Sequence, residues 1–188
     1  MNAERTSYID TPARYGRITR FLHWSMAVLF AWQFTSALLR VFAEDSAIEQ
    51  FFWGTHASTG TLLMALAVAR GAWGLINFSR RPAAGKGMLG LLAAGGHLAL
   101  YLLMMAVPAL ALLRSYGRGR GLSVFGVQLF EARGTEISTL MTPGNALHGV
   151  LGWTLLALAC AHIFMALVHR YVWKDQVLAR MAGRPSLS

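Results

Sequence analysis

Acid is what this chain has least of. It carries 8 Asp and Glu against 17 Lys and Arg, a formal net charge of +9 over 188 residues. Charged residues of both signs make up only 13%, where a soluble globular domain has about a quarter, so an ordinary water-soluble fold is excluded. The pI of 10.8 does not describe a nucleic-acid binder either, because the Lys and Arg stand between apolar blocks. Cysteine is almost absent. The lone Cys160 allows no intrachain disulfide and reads as a packing residue inside an apolar run. There is no low-complexity tract and no evident repeat. The polar opening MNAERTSYIDTPARYGRITR lacks the charged-then-apolar order of a cleaved signal peptide.

What the chain has instead is hydrophobic residues, 55% of the total. They gather in four blocks, at about 21–42, 52–76, 88–113 and 146–172, each long enough for the roughly 20 helical residues that cross a bilayer. None shows the period-two alternation of a strand. Since hydrocarbon offers no water to satisfy the backbone, the expected fold is all-α, an integral membrane four-helix bundle. The whole of residues 1–188 is expected to form a single domain.

Cations in the short flanks set the expected orientation. Arg5, Arg14, Arg17 and Arg20 precede the first block. Arg80, Arg81 and Lys86 lie in the second connection, and Arg170, Lys174, Arg180 and Arg184 follow the fourth block. Four spans put all three groups on one side, so both termini are expected to be cytoplasmic. The acidic first connection, RVFAEDSAIEQ, then lies outside. The third connection, residues 114–145, also falls outside although it carries Arg114, Arg118, Arg120 and Arg133 against only Glu131 and Glu136.

Ionisable groups inside a span are costly and mark function, and all six histidines lie in or beside the apolar blocks. His148, His162 and His169 are separated by multiples of seven and so share one seam of the fourth helix. At 1.5 Å per residue, His148 and His162 are about 21 Å apart along the axis, too far to share one metal ion. Each therefore needs a partner at its own depth. Depth matches His148 with His56 at the outer level and His162 with His23 at the inner level. Two imidazoles without Cys, Asp or Glu in the apolar core do not make a zinc or di-iron centre. They suit a haem iron with two axial ligands, the porphyrin supplying the other four nitrogens. The residue one turn on from each of these histidines is small: Ala27, Gly60, Gly152 and Ala166. After His97 and His169 it is Tyr101 and Trp173. A flat macrocycle needs such clearance, which favours His162 over His169 as the inner ligand. For any one histidine, a hydrogen bond to a neighbouring helix is the plain alternative.

The elements RFLHW, THASTG, GGHLALYLLM and LHG with CAHIFMALVHRYVWKD resemble the bacterial cytochrome b561 family over about residues 14–181. The resemblance looks closest to the branch of superoxide:ubiquinone oxidoreductases. It implies a four-helix protein of the bacterial inner membrane with two b haems, and carries over His23, His56, His148 and His162 as iron ligands. It equally implies membership among cytochrome subunits that link a partner dehydrogenase or hydrogenase to the quinone pool.

Bis-histidine ligation leaves no open iron position, so substrates are expected at a haem edge, with membrane lipid around the protein and no nucleic acid as partner. For ubiquinone the inner end of the fourth helix is the candidate site. There His169, Arg170, Trp173, Lys174 and Asp175 gather aromatic and charged groups, with His169 as catalytic proton donor. An interfacial belt with snorkelling cations accounts for the same residues. His97 is a candidate to contact a haem propionate or the quinone, or simply headgroup water at a helix start. Arg17 and Arg20 are candidate propionate partners. Arg118, Arg120 and Arg133 are expected to steer a small anion, superoxide, to the outer haem; binding to lipid phosphates or haem propionates would use the same charges.

Overall fold

The structure is a computed structural model that describes residues 7–82, 85 and 87–183. Arg5, Lys86 and Arg184, which entered the orientation argument, lie outside the described residues. The elements run α1 (Arg17–Phe42), α2 (Ala47–Gly54), α3 (His56–Ile76), α4 (Gly87–Gly117), β1 (Arg120–Val124), β2 (Val127–Ala132), α5 (Ser138–Tyr171) and α6 (Val177–Ala182). Among the described residues, four stretches are long and apolar enough to cross a membrane: Arg17–Phe42, Ala47–Ile76, Gly87–Gly117 and Ser138–Tyr171. They match the four apolar blocks, extended into their polar flanks because helical hydrogen bonding does not stop where hydropathy does. Large apolar side chains such as Phe21, Val28, Leu75, Leu91 and Phe164 are exposed. On a soluble protein that would be a liability; against lipid it is the expected surface.

The chain divides into two compact units, one of Met1–Ser25, Val68–Tyr101 and Ala157–Ser188, the other of Met26–Ala67 and Leu102–Leu156. The boundaries cut α1, α3, α4 and α5, so each long helix contributes a segment to each unit.

In the first unit the polar N-terminal segment caps α1. The Asp10 carboxylate accepts from the Gly16 N–H at 2.8 Å and the Thr19 hydroxyl at 2.7 Å, at the helix end where negative charge is favoured. The Trp73 indole in turn donates to Thr19 Oγ1 at 2.9 Å. Gly16 is required here, because a Cβ would collide with the backbone of Tyr8 and Ile9. At the other end of the chain α6 begins under Asp175, whose Oδ1 accepts the Val177 N–H at 3.0 Å. It stops at Gly183 in the left-handed conformation (φ 76°). The Trp24 indole donates to the Met181 carbonyl at 3.3 Å.

The second unit holds the buried apolar side chains Met26, Leu63, Ala67, Met104, Val107 and Leu155. Gly144 of α5 lets α4 approach closely. An added Cβ would lie 2.6 Å from the Leu110 carbonyl and from Arg114 Cβ, the small-residue contact typical of helices in lipid. Ser46 caps α2, its hydroxyl accepting the Glu49 N–H at 3.2 Å. Glu49 is only 1% exposed and is neutralised by Arg40 at 3.2 Å, which also reaches Glu44 at 3.3 Å.

The third connection is shorter than the sequence suggests. Between the end of α4 at Gly117 and the start of α5 at Ser138 lies an antiparallel hairpin, β1 paired with β2. Its two-residue turn, Phe125 (φ 47°) and Gly126 (φ 85°), has both residues at positive φ, the geometry that matches strand twist. Gly119 (φ 68°) passes against Thr135 so closely that no side chain fits.

Candidate functional site

His56, the first residue of α3, is fixed by α1. The Ser36 hydroxyl donates to the Gln33 carbonyl at 2.7 Å, so its oxygen accepts the Nδ1–H of His56, also at 2.7 Å. That leaves Nε2 with its lone pair, toward which the Gln33 amide nitrogen points at 3.1 Å. Trp53 stacks on the imidazole, ring centres 4.6 Å apart and 28° between planes, and the Arg40 guanidinium lies 5.4 Å above Trp53. His148, on α5, donates Nδ1–H to the Val107 carbonyl at 3.0 Å, which again frees Nε2. An oxygen acceptor on the far ring nitrogen is how metal-binding imidazoles are usually oriented.

The two rings stand 6.4 Å apart, centre to centre, at 77°. A metal–imidazole bond of about 2.0–2.1 Å on each side, plus roughly 1.1 Å from nitrogen to ring centre, gives about 6.3 Å for two trans ligands. Around them opens an apolar cavity of about 280 Å³, lined among others by Gly60, Leu63, Met104, Gly152 and Leu155. A Cβ on Gly152 would meet no atom within 4 Å, and one on Gly60 would meet only the Gln33 amide at 3.2 Å. Both glycines one turn on from a histidine therefore open onto the cavity. The hairpin covers this unit: Leu122 lines the cavity and the Phe125 N–H donates to Ser58 Oγ on α3 at 3.3 Å.

In the first unit His23 and His162 stand 6.3 Å apart at 78°, again the spacing of two trans ligands. His97 is a third imidazole, 5.2 Å from His162, too close for an ion between those two. It is the eleventh residue of α4 (87 to 97), deeper than a helix start, and its Nδ1–H donates to the Ala93 carbonyl at 2.6 Å. The Nδ1 of His23 is buried without a partner. Arg70, which the sequence reading passed over, lies with its guanidinium 5.7 Å from the Tyr101 ring centre and within electrostatic range of both His23 and His162.

Other candidate residues are dispersed. His169 binds Asp175, Nδ1 to Oδ2 at 2.6 Å, and meets the edge of Trp173 at 4.6 Å. The chain turns sharply at Lys174 (φ 53°) to make that contact, and Arg170 is exposed. Burial acts to raise the Asp175 pKa, but the hydrogen bonds from Val177 and His169 outweigh it and hold the carboxyl below 3.8. Arg17 lies over Tyr8 at 5.3 Å, and the buried Nε of Arg20 has no partner. Arg118 and Arg120 are exposed. Arg133 is pinned on Tyr116, donating to its carbonyl at 2.7 Å and stacking on its ring at 4.2 Å.

No group of three or more His, Cys, Asp or Glu among the described residues could hold a metal ion. Each histidine pair therefore suits a metal that arrives with its remaining ligands, as iron does in porphyrin. Four membrane-crossing helices carrying such pairs define a class: membrane electron carriers with b haem. Residues 14–184 match the family model of prokaryotic cytochrome b561, and the chain belongs to that family. It is similar to cytochrome b561 homolog 2 of Escherichia coli (strain K12), 35% identical over 184 residues, 96% of this chain and 97% of that one. It is also similar to the probable superoxide oxidase CybB of Yersinia pestis, 29% identical over 170 residues, 89% of this chain and 95% of that one. A third relative is cytochrome b561 homolog 1 of Escherichia coli (strain K12), 33% identical over 90 residues, 47% of this chain and 49% of that one. The chain is thus a multi-pass membrane redox protein of a haem-binding prokaryotic family.

Proposed function

We propose that the protein is a single-domain superoxide:ubiquinone oxidoreductase of the bacterial inner membrane, with both termini cytoplasmic. His56 and His148 hold one b haem toward the periplasm; His23 and His162 hold a second toward the cytoplasm. Haem bound by two imidazoles supplies single-electron transfer and leaves no open iron position. Two superoxide ions are oxidised to dioxygen at the periplasmic face. Ubiquinone takes up the two electrons, with two protons, and leaves as ubiquinol.

The chain's own residues divide this work. Ser36 and the Val107 carbonyl hold the Nδ1–H of His56 and His148, so each Nε2 keeps its lone pair; on His56 the Gln33 amide would have to give up its contact with that lone pair for a metal to bind. The apolar walls exclude water. Asp175 holds Nδ1–H of His169, so that, once protonated, the imidazole donates from Nε2 to a quinone oxygen and is recharged from water. Arg170, Trp173 and Lys174 frame the quinone head. One observation carries the choice of donor: the hairpin on the His56 unit presents exposed Arg118 and Arg120 at its base. That cationic surface would concentrate a small anion there. The name of the Yersinia pestis relative supports the same reading.

A second reading, an electron-carrying membrane subunit for a partner dehydrogenase or hydrogenase, is favoured by the exposed Phe125, Val127 and Leu129 on the same hairpin. A visible spectrum of the purified oxidised protein, recorded before and after an enzymatic superoxide source, separates them. Reduced b-haem bands that superoxide dismutase abolishes are expected. Bands that respond to dithionite but never to superoxide would overturn the superoxide reading and leave the partner-protein one.

A further inference from the structure

Arg70 is a cation inside a membrane-crossing helix, six residues before its end at Ile76, and charge within a span is costly without a partner. The first unit contains three acids: Glu4, outside the described residues, Asp10 and Asp175. Both described carboxylates are committed, Asp10 to Gly16 and Thr19, Asp175 to His169 and Val177. No ion pair or hydrogen bond to an oxygen reaches Arg70 among the described residues, only the face of Tyr101 at 5.7 Å. An aromatic face offsets part of a buried charge but leaves the guanidinium donors unused. Within its electrostatic range stand His23 and His162, their ring centres 6.3 Å apart, with the third imidazole, His97, against His162.

Tyr15 adds a second donor. Burial pushes its phenol above the usual range, with Asp10 adding to the rise against Arg81, Arg70 and Arg180. It therefore stays protonated near neutral pH, close enough to feel Arg70. A forked cation with a neutral phenol nearby matches a carboxylate. Among the described residues of this unit no carboxylate is left for it, and a b haem would bring carboxylates of its own on the porphyrin edge.

We propose that Arg70 binds a carboxylate side chain of the porphyrin held by His23 and His162, and thereby sets the reduction potential of that centre. The inference rests on the ligand assignment proposed above. Removing a cation beside an iron centre disfavours the reduced, less positive state, so the potential of that haem falls when Arg70 is neutralised.

The test is a spectroelectrochemical titration of the purified full-length protein and of Arg70→Gln and Arg70→Lys, with His23→Ala and His56→Ala as markers. Each marker is expected to lose one haem, which tells which potential belongs to which centre. In Arg70→Gln the haem that survives in His56→Ala should shift to lower potential and the other should stay. Arg70→Lys, which keeps the charge but not the fork, should recover part of the shift. Unchanged potentials with both haems retained, or equal shifts in both, would overturn the proposal. If Arg70→Gln loses that haem, Arg70→Lys decides: haem retained at a lowered potential supports the role, and haem retained at an unchanged potential refutes it. Markers that keep both haems would overturn the ligand assignment, and with it the proposal as stated, whereas unchanged potentials beside markers that each lose one haem would overturn the Arg70 role alone.

Discussion

Both units set two imidazoles at nearly one spacing, 6.4 Å for His56 and His148 and 6.3 Å for His23 and His162, but the surroundings differ in kind. In the second unit each ring is turned by an oxygen acceptor, Ser36 Oγ or the Val107 carbonyl, and packed among Met104, Val107 and Leu155. In the first, His23 Nδ1, Arg20 Nε and Asn77 Oδ1 are buried without partners, and the neighbours are His97, Arg70 and Tyr101. One site is oriented by hydrogen bonds in an apolar shell. Among the described residues the first unit holds three buried polar atoms without partners and the second holds one, Gln33 Oε1, each costing about 1–3 kcal/mol while it remains so. Ligand binding has more to repair in the first unit, so the loss of haem should loosen it more than the second.

The largest expected effect tests whether the two sites are separate. His148→Ala should remove the haem of the second unit alone, and His162→Ala that of the first, each halving the haem absorbance per chain. A single variant that loses both haems would mean the sites are not independent, and the comparison between them would fail.

Next come the close contacts specific to each unit. Gly144→Ala drives a methyl into the Leu110 carbonyl, and Gly16→Ala into the backbone of Tyr8 and Ile9. Each should cost about 1–3 kcal/mol, as overpacking does, visible as earlier haem release on heating. Gly95→Ala, where nothing lies within 4 Å, is the control and should be neutral or slightly stabilising. Equal behaviour of all three would show that the tight crossings do not matter.

These residues also mark what the sequence made legible. The four spans follow from hydropathy alone, because lipid imposes one simple rule on long segments. The small residues Gly60 and Gly152 were readable as clearance, and both open onto the cavity. The hairpin's signal was present, with Leu122–Ser123–Val124 and Val127–Gln128–Leu129 alternating on either side of Phe125 and Gly126, but runs of three residues are shorter than the roughly 4–8 that mark a strand. Gln33 and Ser36 were polar residues within the first block whose partners only the packing of α1 on α3 reveals. Arg70 was visible as a charge inside an apolar run, and the logic applied to the histidines would have found it.

A smaller effect sharpens the contrast between the units. Ser36→Ala leaves the Nδ1–H of His56 without its acceptor, and outer-shell losses of this kind typically weaken metal binding about 10–100-fold. Haem titration of the apoprotein should show weaker binding at one site and unchanged binding at the other. His148 offers no equivalent variant, since its acceptor is a backbone carbonyl. If Ser36→Ala binds both haems as tightly as the parent, hydrogen-bonded orientation is not what distinguishes the second unit.

The smallest effect concerns Asp175, at the far end of the first unit. Asp175→Asn should keep both haems and slow ubiquinol formation by less than His169→Ala does, because the imidazole remains but loses its orienting carboxylate. The sign of the pH dependence follows from the lowered pKa. Burial alone would raise it, but the hydrogen bonds from Val177 and His169 prevail and bring the folded value below 3.8. The contribution of the carboxylate is then complete above about pH 3.8 and disappears only as pH falls through the lower folded value. Ubiquinol rates measured from pH 5 to 8 should therefore show a constant ratio between parent and Asp175→Asn as far as Asp175's own ionisation is concerned. A ratio that closes toward pH 5 would mean that the carboxylate gains its proton in the working range. It could not then be the fixed partner that keeps Nε2 of His169 aimed at the quinone.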